Sequence, residues 1–318
     1  MGKETLFTFG RYLRKKYHHK VAKIPIGLSG FTCPNIDGTV AKGGCTFCLN
    51  ESFSPNMGTQ YKITLNPNST NNPLLEIQLN ELDTQIREGA KEQRSKGAKK
   101  FLVYFQAFTN TYAPFDTLKI LFEKALNYDD VIGLSIGTRS DSISDEVLDY
   151  LSELNKTKEI WIEYGVQSIH DQTLQRINRG HDALNAKKMI KKTKDKGLHV
   201  CAHLIYGLPG EDAKMMLQST KEVYAWGVDS IKYHPLYVVK NTMLANEYKN
   251  GEFQPITIEE YSSILTQALK LKPKNISVQR IAAGSENGSV IVPFWCGWSK
   301  NKMTACIKKE LAKEHLYF

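Results

Sequence analysis

The chain has 318 residues, of which 41% are hydrophobic, and a formal net charge of +9. This composition is that of an ordinary globular protein, long enough for one large α/β domain or two small ones. No apolar run approaches the ~20 residues of a membrane helix, and the N-terminus lacks the apolar core of a signal peptide. We therefore expect a cytoplasmic protein without a membrane segment, whose six cysteines serve metal binding and not a disulfide framework.

The basic charge is concentrated in three segments of the chain. Lysines and arginines outnumber acidic residues in 1–20, 187–196 and 299–318. In the first segment, tyrosines and histidines lie between the charges, a pattern typical of a polyanion-binding surface. A solvated basic face gives a similar pattern, and we favour that reading for 187–196. The candidate nucleic-acid contacts are Arg11, Arg14, Lys15 and Lys16.

The first predicted strand, Val21–Phe31, leads into a loop that contains three of the six cysteines. Cys33 is followed by the close pair Cys45 and Cys48. Three thiolates are one fewer than a structural zinc usually takes, whereas a cubane iron–sulfur cluster held by three cysteines keeps one iron free. The alternative is a zinc loop completed by a histidine at 18 or 19 or by another cysteine. The spacing favours an iron–sulfur cluster.

Helix and strand patterns then alternate along the chain. Apolar residues three and four apart predict a helix over 74–96, and Lys99–Phe105 predicts a strand. Ser144 is a predicted helix N-cap. Further helices are predicted at 115–127, 144–155, 181–196 and 211–226, with strands at 131–136, 159–165, 198–205 and 229–236. Six β/α units in succession predict an α/β fold built as a partial (β/α)6 TIM-like barrel with N- and C-terminal extensions.

Beyond residue 240 this alternation ends. Thr257 and Glu260 have the spacing of a capping box and begin a predicted helix over 257–270. A strand over 276–282 and a basic helix over 299–315 follow, and Cys296 lies in an aromatic cluster where it either packs or faces substrate. We interpret the chain as a basic arm (1–22), a barrel core (23–240) and an extension (241–318) that caps the barrel or contacts substrate.

The cysteine loop resembles that of the radical S-adenosylmethionine (SAM) enzymes. Its strings FTCPNIDG and GGCTFC are similar to the YtqA/YhcC family, the elongator-like group that includes MnmL-type tRNA modification enzymes. Further strings resemble this group in the same order: Thr138-Arg139-Ser140-Asp141, Glu163 to Ser168, Arg179-Gly180-His181 and Tyr206 to Glu211. The resemblance implies a radical SAM barrel whose Cys33, Cys45 and Cys48 hold a [4Fe–4S] cluster and are catalytic through it, with Phe47 near the adenine of SAM.

The polar residues past the strand ends are candidates to bind SAM, since barrel chemistry occupies these loops. SAM needs carboxylate, amide or guanidinium partners for its hydroxyl and charged groups. A structural polar network is the alternative, for example an Arg139–Asp141 ion pair. Many radical SAM enzymes have Gly-Gly-Glu after the second strand, where this chain has Gln106-Ala107-Phe108, with Gln106 or Asn110 as substitutes. The SAM-binding candidates are Gln106, Arg139, Asp141, Glu163, Gln167 and His203.

The resemblance implies a radical SAM enzyme that acts on tRNA. The implied reaction converts the carboxymethylaminomethyl group of a wobble uridine to aminomethyl, with electrons from a donor such as a flavodoxin or ferredoxin. Two alternatives remain at this point. One is a radical SAM enzyme for a small metabolite, and the other is a zinc-stabilised RNA-binding protein without enzymatic activity.

Overall fold

The computed structural model describes residues 4–50, 63–285 and 288–317. The strands are β1 (Glu4–Thr5), β2 (Val21–Ile26), β3 (Lys100–Phe105), β4 (Val131–Thr138), β5 (Glu159–Gln167), β6 (His199–Tyr206), β7 (Ser230–Pro235), β8 (Val238–Val239), β9 (Ser277–Arg280), β10 (Val290–Val292) and β11 (Leu316–Tyr317). The helices are α1 (Phe9–Tyr17), α2 (Leu75–Ser95), α3 (Phe115–Leu126), α4 (Asp145–Asn155), α5 (Asp171–Arg176), α6 (Ala183–Asp195), α7 (Ala213–Ala225), α8 (Met243–Lys249), α9 (Ile258–Lys270) and α10 (Lys300–Lys313).

One parallel sheet of seven strands organises the molecule, in the spatial order β2-β3-β4-β5-β6-β7-β9. Six of these strands belong to the predicted β/α units, so the predicted partial barrel is confirmed, and β9 adds a seventh strand from the C-terminal region. The first strand ends at Ile26, five residues before its predicted end. The Ser144 cap and the Thr257–Glu260 capping box are both present, because each supplies a side-chain acceptor to free N–H groups of a first helical turn.

The two edge strands of the sheet, β2 and β9, are joined by side chains and by α1. The ammonium of Lys23 on β2 donates to Gln279 Oε1 on β9 at 2.6 Å. Thr8, just before α1, forms a parallel bridge with Val278 on β9. These contacts close the curled sheet at its amino end, where α1 lies between the two edge strands.

Helix α1 is an integral part of the barrel. Its Phe9 ring packs edge-on against Trp161 of β5, with ring centroids 4.8 Å apart. The hydroxyls of Tyr12 and Tyr17 donate to the carboxylate of Glu159, at 2.8 and 2.6 Å. Helix α1, which lies within the predicted basic arm (1–22), therefore packs directly on the barrel. Its apolar face is buried, and both tyrosine hydroxyls are engaged by Glu159.

The C-terminal region also contributes to the barrel. It supplies β9 to the main sheet, and β11 pairs in parallel with β1, so the two ends of the chain meet. Cys296 is fully buried in the main hydrophobic core with Trp295 and Met303. Of the two roles considered for it, this position corresponds to packing. Residues on both sides of position 240 thus share one hydrophobic core. No helix among the described residues is long and apolar enough to cross a bilayer.

Candidate active site

A cavity of about 710 Å³ opens at the carboxyl ends of the barrel strands, a typical size for a cofactor or ligand pocket. Its wall includes all three cysteines of the loop. It also includes most of the residues that the sequence suggested for SAM, namely Phe47, Gln106, Arg139, Glu163, Gln167 and His203. The fold therefore brings together side chains that are up to 170 positions apart in sequence, from Cys33 to His203.

The cysteine loop is held against the segment after α5. The side-chain amide of Asn35 donates to the carbonyls of Asn178 and Arg179, at 2.5 and 3.0 Å. Gly180 has a φ of +79°, and a Cβ there would lie 2.5 Å from Asn35 Oδ1. Only glycine allows this approach without strain, so the sequence Arg179-Gly180 positions the loop.

The donors around Cys45 fit a negatively charged, thiolate-ligated group. Asn35 Nδ2 lies 3.6 Å and Arg179 Nη1 lies 3.7 Å from the sulfur of Cys45. Two further polar nitrogens, Arg139 Nη1 and Arg179 Nε, are buried without a hydrogen-bond partner in the described part of the chain. N–H donors directed at cluster sulfurs are a usual means of tuning iron–sulfur centres.

The thiols themselves also fit a metal centre. Burial raises the pKa of the Cys48 thiol, and the neighbouring Cys45 and Cys33 raise it further, because adjacent thiolates repel each other. All three cysteines line the same cavity, and a bound metal group would displace their protons. These residues would hold a [4Fe–4S] cluster through Cys33, Cys45 and Cys48.

Arg139 and Asp141 form the local ion pair that the sequence offered as an alternative to cofactor binding. Arg139 Nε and Nη2 donate to the two carboxylate oxygens of Asp141, at 2.8 and 2.6 Å. Arg139 also lines the cavity, whereas Asp141 does not. We infer that Asp141 orients the guanidinium and that Arg139 presents its remaining edge to the cavity.

Gln106, directly after β3, and Gln167, the last residue of β5, both line the cavity. Gln167 has a φ of +68°, an uncommon conformation for a residue other than glycine, beside an irregularity in the β5–β6 register. Gly165 lets the Gln167 amide and the Arg179 guanidinium approach, since a Cβ there would lie within 3 Å of both. The amide of Asn110 donates to Gly137 O at 3.0 Å and lies outside the cavity wall. Of the two substitutes for the missing Gly-Gly-Glu, Gln106 therefore lines the cavity.

Glu163 lies at the centre of a buried ionic network in the barrel. Its carboxylate, 0% exposed, forms ion pairs with both Lys23 and Lys232. It also accepts from Ser135 Oγ at 2.5 Å and lies 2.9 Å from His203 Nε2. The proposed contact between Glu163 and SAM stays a prediction, and the structure adds that this carboxylate has four partners within the protein.

The network changes the protonation of its members. Burial would raise the pKa of Glu163, but Lys23 and Lys232 lower it well below its ordinary value. Burial lowers the pKa of Lys232 to about 7, because one carboxylate only partly offsets the repulsion from Lys23 and Arg280. Burial and the charge of Lys232 lower the pKa of His203 to about 4, so its imidazole is neutral at pH 7.

Four residues of this interior were missed by the sequence analysis: Lys23, Lys232, His234 and Arg280. The signal that could have found them is a charged or polar residue inside an apolar strand, as in Ser230–Pro235 (SIKYHP) and Ser277–Arg280 (SVQR). Strands of a parallel sheet covered on both faces are usually apolar throughout. An interruption of this kind therefore marks a polar barrel interior.

The sequence matches the family model of the Radical SAM superfamily over residues 38–223 and that of the Radical_SAM C-terminal domain over 228–313. It is 35% identical over 303 residues to YhcC of Escherichia coli (strain K12), which covers 94% of this chain and 89% of that protein. A tRNA uridine(34) acetyltransferase of Methanocaldococcus infernus is 33% identical over 153 residues, which is 47% of this chain and 28% of that protein.

The fold is similar to that of a solved structure, the archaeal Methanocaldococcus infernus Elp3 with an N-terminal deletion. The TM-score is 0.64 at 20% sequence identity, and the match covers 92% of this chain. The chain spans about 63% of that Elp3 chain. This likeness concerns the fold, a curled parallel half-barrel.

Proposed function

The chain belongs to the radical SAM superfamily, and we propose that it converts the carboxymethylaminomethyl group of a wobble uridine in tRNA to aminomethyl. As an enzyme of this family it uses a [4Fe–4S] cluster and SAM, which together supply a 5′-deoxyadenosyl radical able to remove a hydrogen atom from a carbon. The observation that carries the proposal is the similarity of nearly half the chain to a tRNA uridine(34) acetyltransferase. The family assignment removes the zinc-stabilised, non-enzymatic alternative.

The proposed reaction takes place at the methylene carbon between the side-chain nitrogen and the carboxylate. A hydrogen atom of this carbon would go to the 5′-deoxyadenosyl radical, one electron to an acceptor of the iron–sulfur class, and one proton from the side-chain nitrogen to water, which together give an imine. Hydrolysis of the imine leaves the aminomethyl uridine and releases the two remaining carbons as glyoxylate. The amine and the carboxylate on either side stabilise the carbon radical, which favours this position over the methylene attached to the base.

The residues of this chain would bind and orient the reactants. Arg139 and Gln167 stay candidates to contact SAM from the loops after β4 and β5. Asn35 and Arg179 would donate to the sulfur side of the cluster site. The cavity, lined by aromatic and aliphatic side chains such as Phe47, Phe108 and Ile205, would keep water from a reactive carbon.

The alternative substrate class is a small metabolite. One observation favours it, because four lysines on and just after the basic helix α6 form ion pairs with acids of the protein and need not bind RNA. The ion pairs on and beside this helix are Lys191–Asp195, Lys192–Asp145, Lys194–Asp229 and Lys196–Asp149. This pattern agrees with the solvated face expected for 187–196. The RNA proposal therefore rests on the relatives and on the exposed charges of α1.

The test is mass spectrometry of tRNA nucleosides from a strain that lacks this protein and has no other enzyme for the step. We expect the carboxymethylaminomethyl uridine to accumulate and the aminomethyl form to disappear. The wild-type protein should restore the profile, and Cys45→Ala should not. An unchanged nucleoside profile would refute the tRNA assignment and favour a small metabolite. The electron donor, proposed to be a flavodoxin or ferredoxin, can be identified by reconstituting the purified reaction with each.

A further inference from the structure

The barrel interior directly beneath the cavity carries more positive than negative charge. Glu163 neutralises at most one of the two lysines that contact it, Lys23 and Lys232, whose side chains are 21% and 3% exposed. Lys232 on β7 pairs with His203 on β6 and with Arg280 on β9. The three residues are therefore neighbours across the sheet. Like charges directly opposite each other on neighbouring strands are unfavourable. We call Lys23, Glu163, Lys232, His234 and Arg280 the cationic floor.

Arg280 is the residue of the cationic floor whose positive charge has no acidic partner in the described part of the chain. It lines the cavity, and among the described residues its guanidinium makes no hydrogen bond or ion pair. A guanidinium offers five N–H donors in a planar fork that matches a carboxylate. Arg280 is half-buried and lines the cavity, so part of its guanidinium is available to a ligand there.

Neighbouring polar groups of the cationic floor also lack partners. His234 Nε2 and Gln279 Nε2 are buried without a hydrogen-bond partner in residues 4–50, 63–285 and 288–317. The His234 ring stacks on His203 with centroids 5.7 Å apart, which holds it in place. Burial lowers the pKa of His234 well below its ordinary value, and Arg280 lowers it further, so the two groups are electrostatically close. A bound anion would accept from Gln279 Nε2, and from His234 Nε2 in the tautomer that carries its proton there.

We propose that Arg280, supported by Lys232 and His234, binds the carboxylate of the substrate's carboxymethylaminomethyl group. This inference rests on the proposed function and adds the residues that select its substrate. A carboxylate bound to Arg280 at the cavity wall offsets the repulsion between Arg280 and Lys232, which lies beneath the wall. It also forms charge-assisted hydrogen bonds with the guanidinium, which are strongest where water is scarce.

The proposal explains how the enzyme would distinguish substrate from product. The product has lost the carboxylate and carries a cationic aminomethyl group, which Arg280 and Lys232 repel. Sites built to pair a polar group discriminate strongly against analogues that lack it, since buried donors are then left unsatisfied. Product should therefore bind more weakly than substrate, and an unmodified uridine should not be held in the cavity.

The first experiment measures binding to the wild-type holoenzyme with three tRNAs that differ only at the wobble uridine. They carry the carboxymethylaminomethyl group, its uncharged methyl ester, or unmodified uridine. We expect the carboxylate form to bind about ten- to hundredfold more tightly than the ester, the range for a charge-assisted hydrogen bond. Equal affinity for acid and ester would overturn the carboxylate site, whatever the variants show.

The second experiment compares Arg280→Gln with Arg280→Lys and with Arg87→Gln, an exposed arginine on α2 as matched control. Arg280→Gln should remove the preference for acid over ester, Arg280→Lys should keep part of it, and Arg87→Gln should keep all of it. Iron content and the melting temperature report whether each variant folds. If Arg280→Gln instead weakens all three tRNAs equally, the arginine binds a backbone phosphate and the carboxylate proposal is wrong.

The two proposals fail in distinguishable ways. If wild-type protein converts the modified tRNA while Arg280→Gln retains the acid-over-ester preference, the site is wrong and the function stands. If wild-type protein neither prefers the acid nor releases glyoxylate from it, the function fails and the carboxylate site fails with it.

Discussion

At the scale of single residues, the three loop cysteines differ from the other three in their surroundings. Cys33, Cys45 and Cys48 line the cavity beside N–H donors. Cys201 is buried in a barrel strand and Cys296 in the main core, and burial raises the pKa of both thiols, Cys201 to about 12. Neither Cys201 nor Cys296 lines the cavity, so these two buried thiols lie outside the proposed cluster site.

Replacement of any one of Cys33, Cys45 or Cys48 by alanine should therefore abolish the cluster. Iron and sulfide analysis of anaerobically purified protein should give about four irons per chain for the wild type, as expected for a [4Fe–4S] centre. Cys296→Ala is the control, and it should retain the iron because that sulfur packs against Trp295 and Met303. Equal loss of iron in Cys296→Ala and Cys45→Ala would contradict the three-cysteine site.

Glu163 is the residue whose replacement should destabilise the barrel most. Glu163→Gln leaves Lys23 and Lys232 close together without an acidic partner, and breaking a buried ion pair costs about 3–5 kcal/mol. Urea unfolding of the protein without SAM measures this cost. The matched control is Asp83→Asn on α2, whose partners Arg87 and Lys124 are exposed, with an expected cost of at most about 1 kcal/mol.

If Glu163 served SAM alone, Glu163→Gln would leave unfolding without SAM unchanged and would weaken only SAM binding. The four protein partners of its carboxylate favour the structural outcome. The two outcomes are separable because SAM is absent from the unfolding measurement.

At the scale of elements, α1 combines a buried face with exposed charges. Its four candidate nucleic-acid contacts fall into two pairs. Arg11 donates to Leu6 O and Lys16 to Glu159, whereas Arg14 and Lys15 are exposed at the end of the helix. Arg11 and Lys16 thus have structural partners, and Arg14 and Lys15 are the better candidates for phosphate contact.

The double variant Arg14→Gln, Lys15→Gln should lower tRNA affinity without changing stability by more than about 0.5 kcal/mol. Each lost duplex phosphate contact should reduce the salt slope of log affinity by about 0.9, since fewer counterions are released. Filter binding over a range of salt concentrations measures the slope. The control with the same charge change is Lys187→Gln, Lys188→Gln, two exposed lysines of α6. An equal effect of the control would show that net charge, and not α1, sets the affinity.

At the scale of the whole molecule, the chain folds around one barrel and its ends meet. The strand pair β1–β11 joins residues 4–5 to 316–317, and α1 closes the barrel opposite the cavity mouth. The arrangement makes α1 and β9 parts of the barrel and leaves the cavity opening at the carboxyl ends of the strands.

The sequence by itself determined the repetitive and local features. The β/α alternation, the Ser144 cap and the Thr257–Glu260 capping box depend on spacings of a few residues, which the local chain fixes. The close Cys45–Cys48 pair with Cys33 upstream likewise predicts a metal loop, because ligands near in sequence can reach one ion with little loop ordering.

Only the tertiary structure decided which distant residues meet. Glu163 contacts Lys23 and Lys232, and Lys23 contacts Gln279 some 256 positions away. A period of two along a strand tells which residues share a face, but the order and curl of the sheet decide which strands are neighbours. Strand β9 and helix α1, both assigned to extensions from the sequence, became the closing elements because burial of Phe9, Leu13 and Val278 is satisfied only when the sheet curls around them.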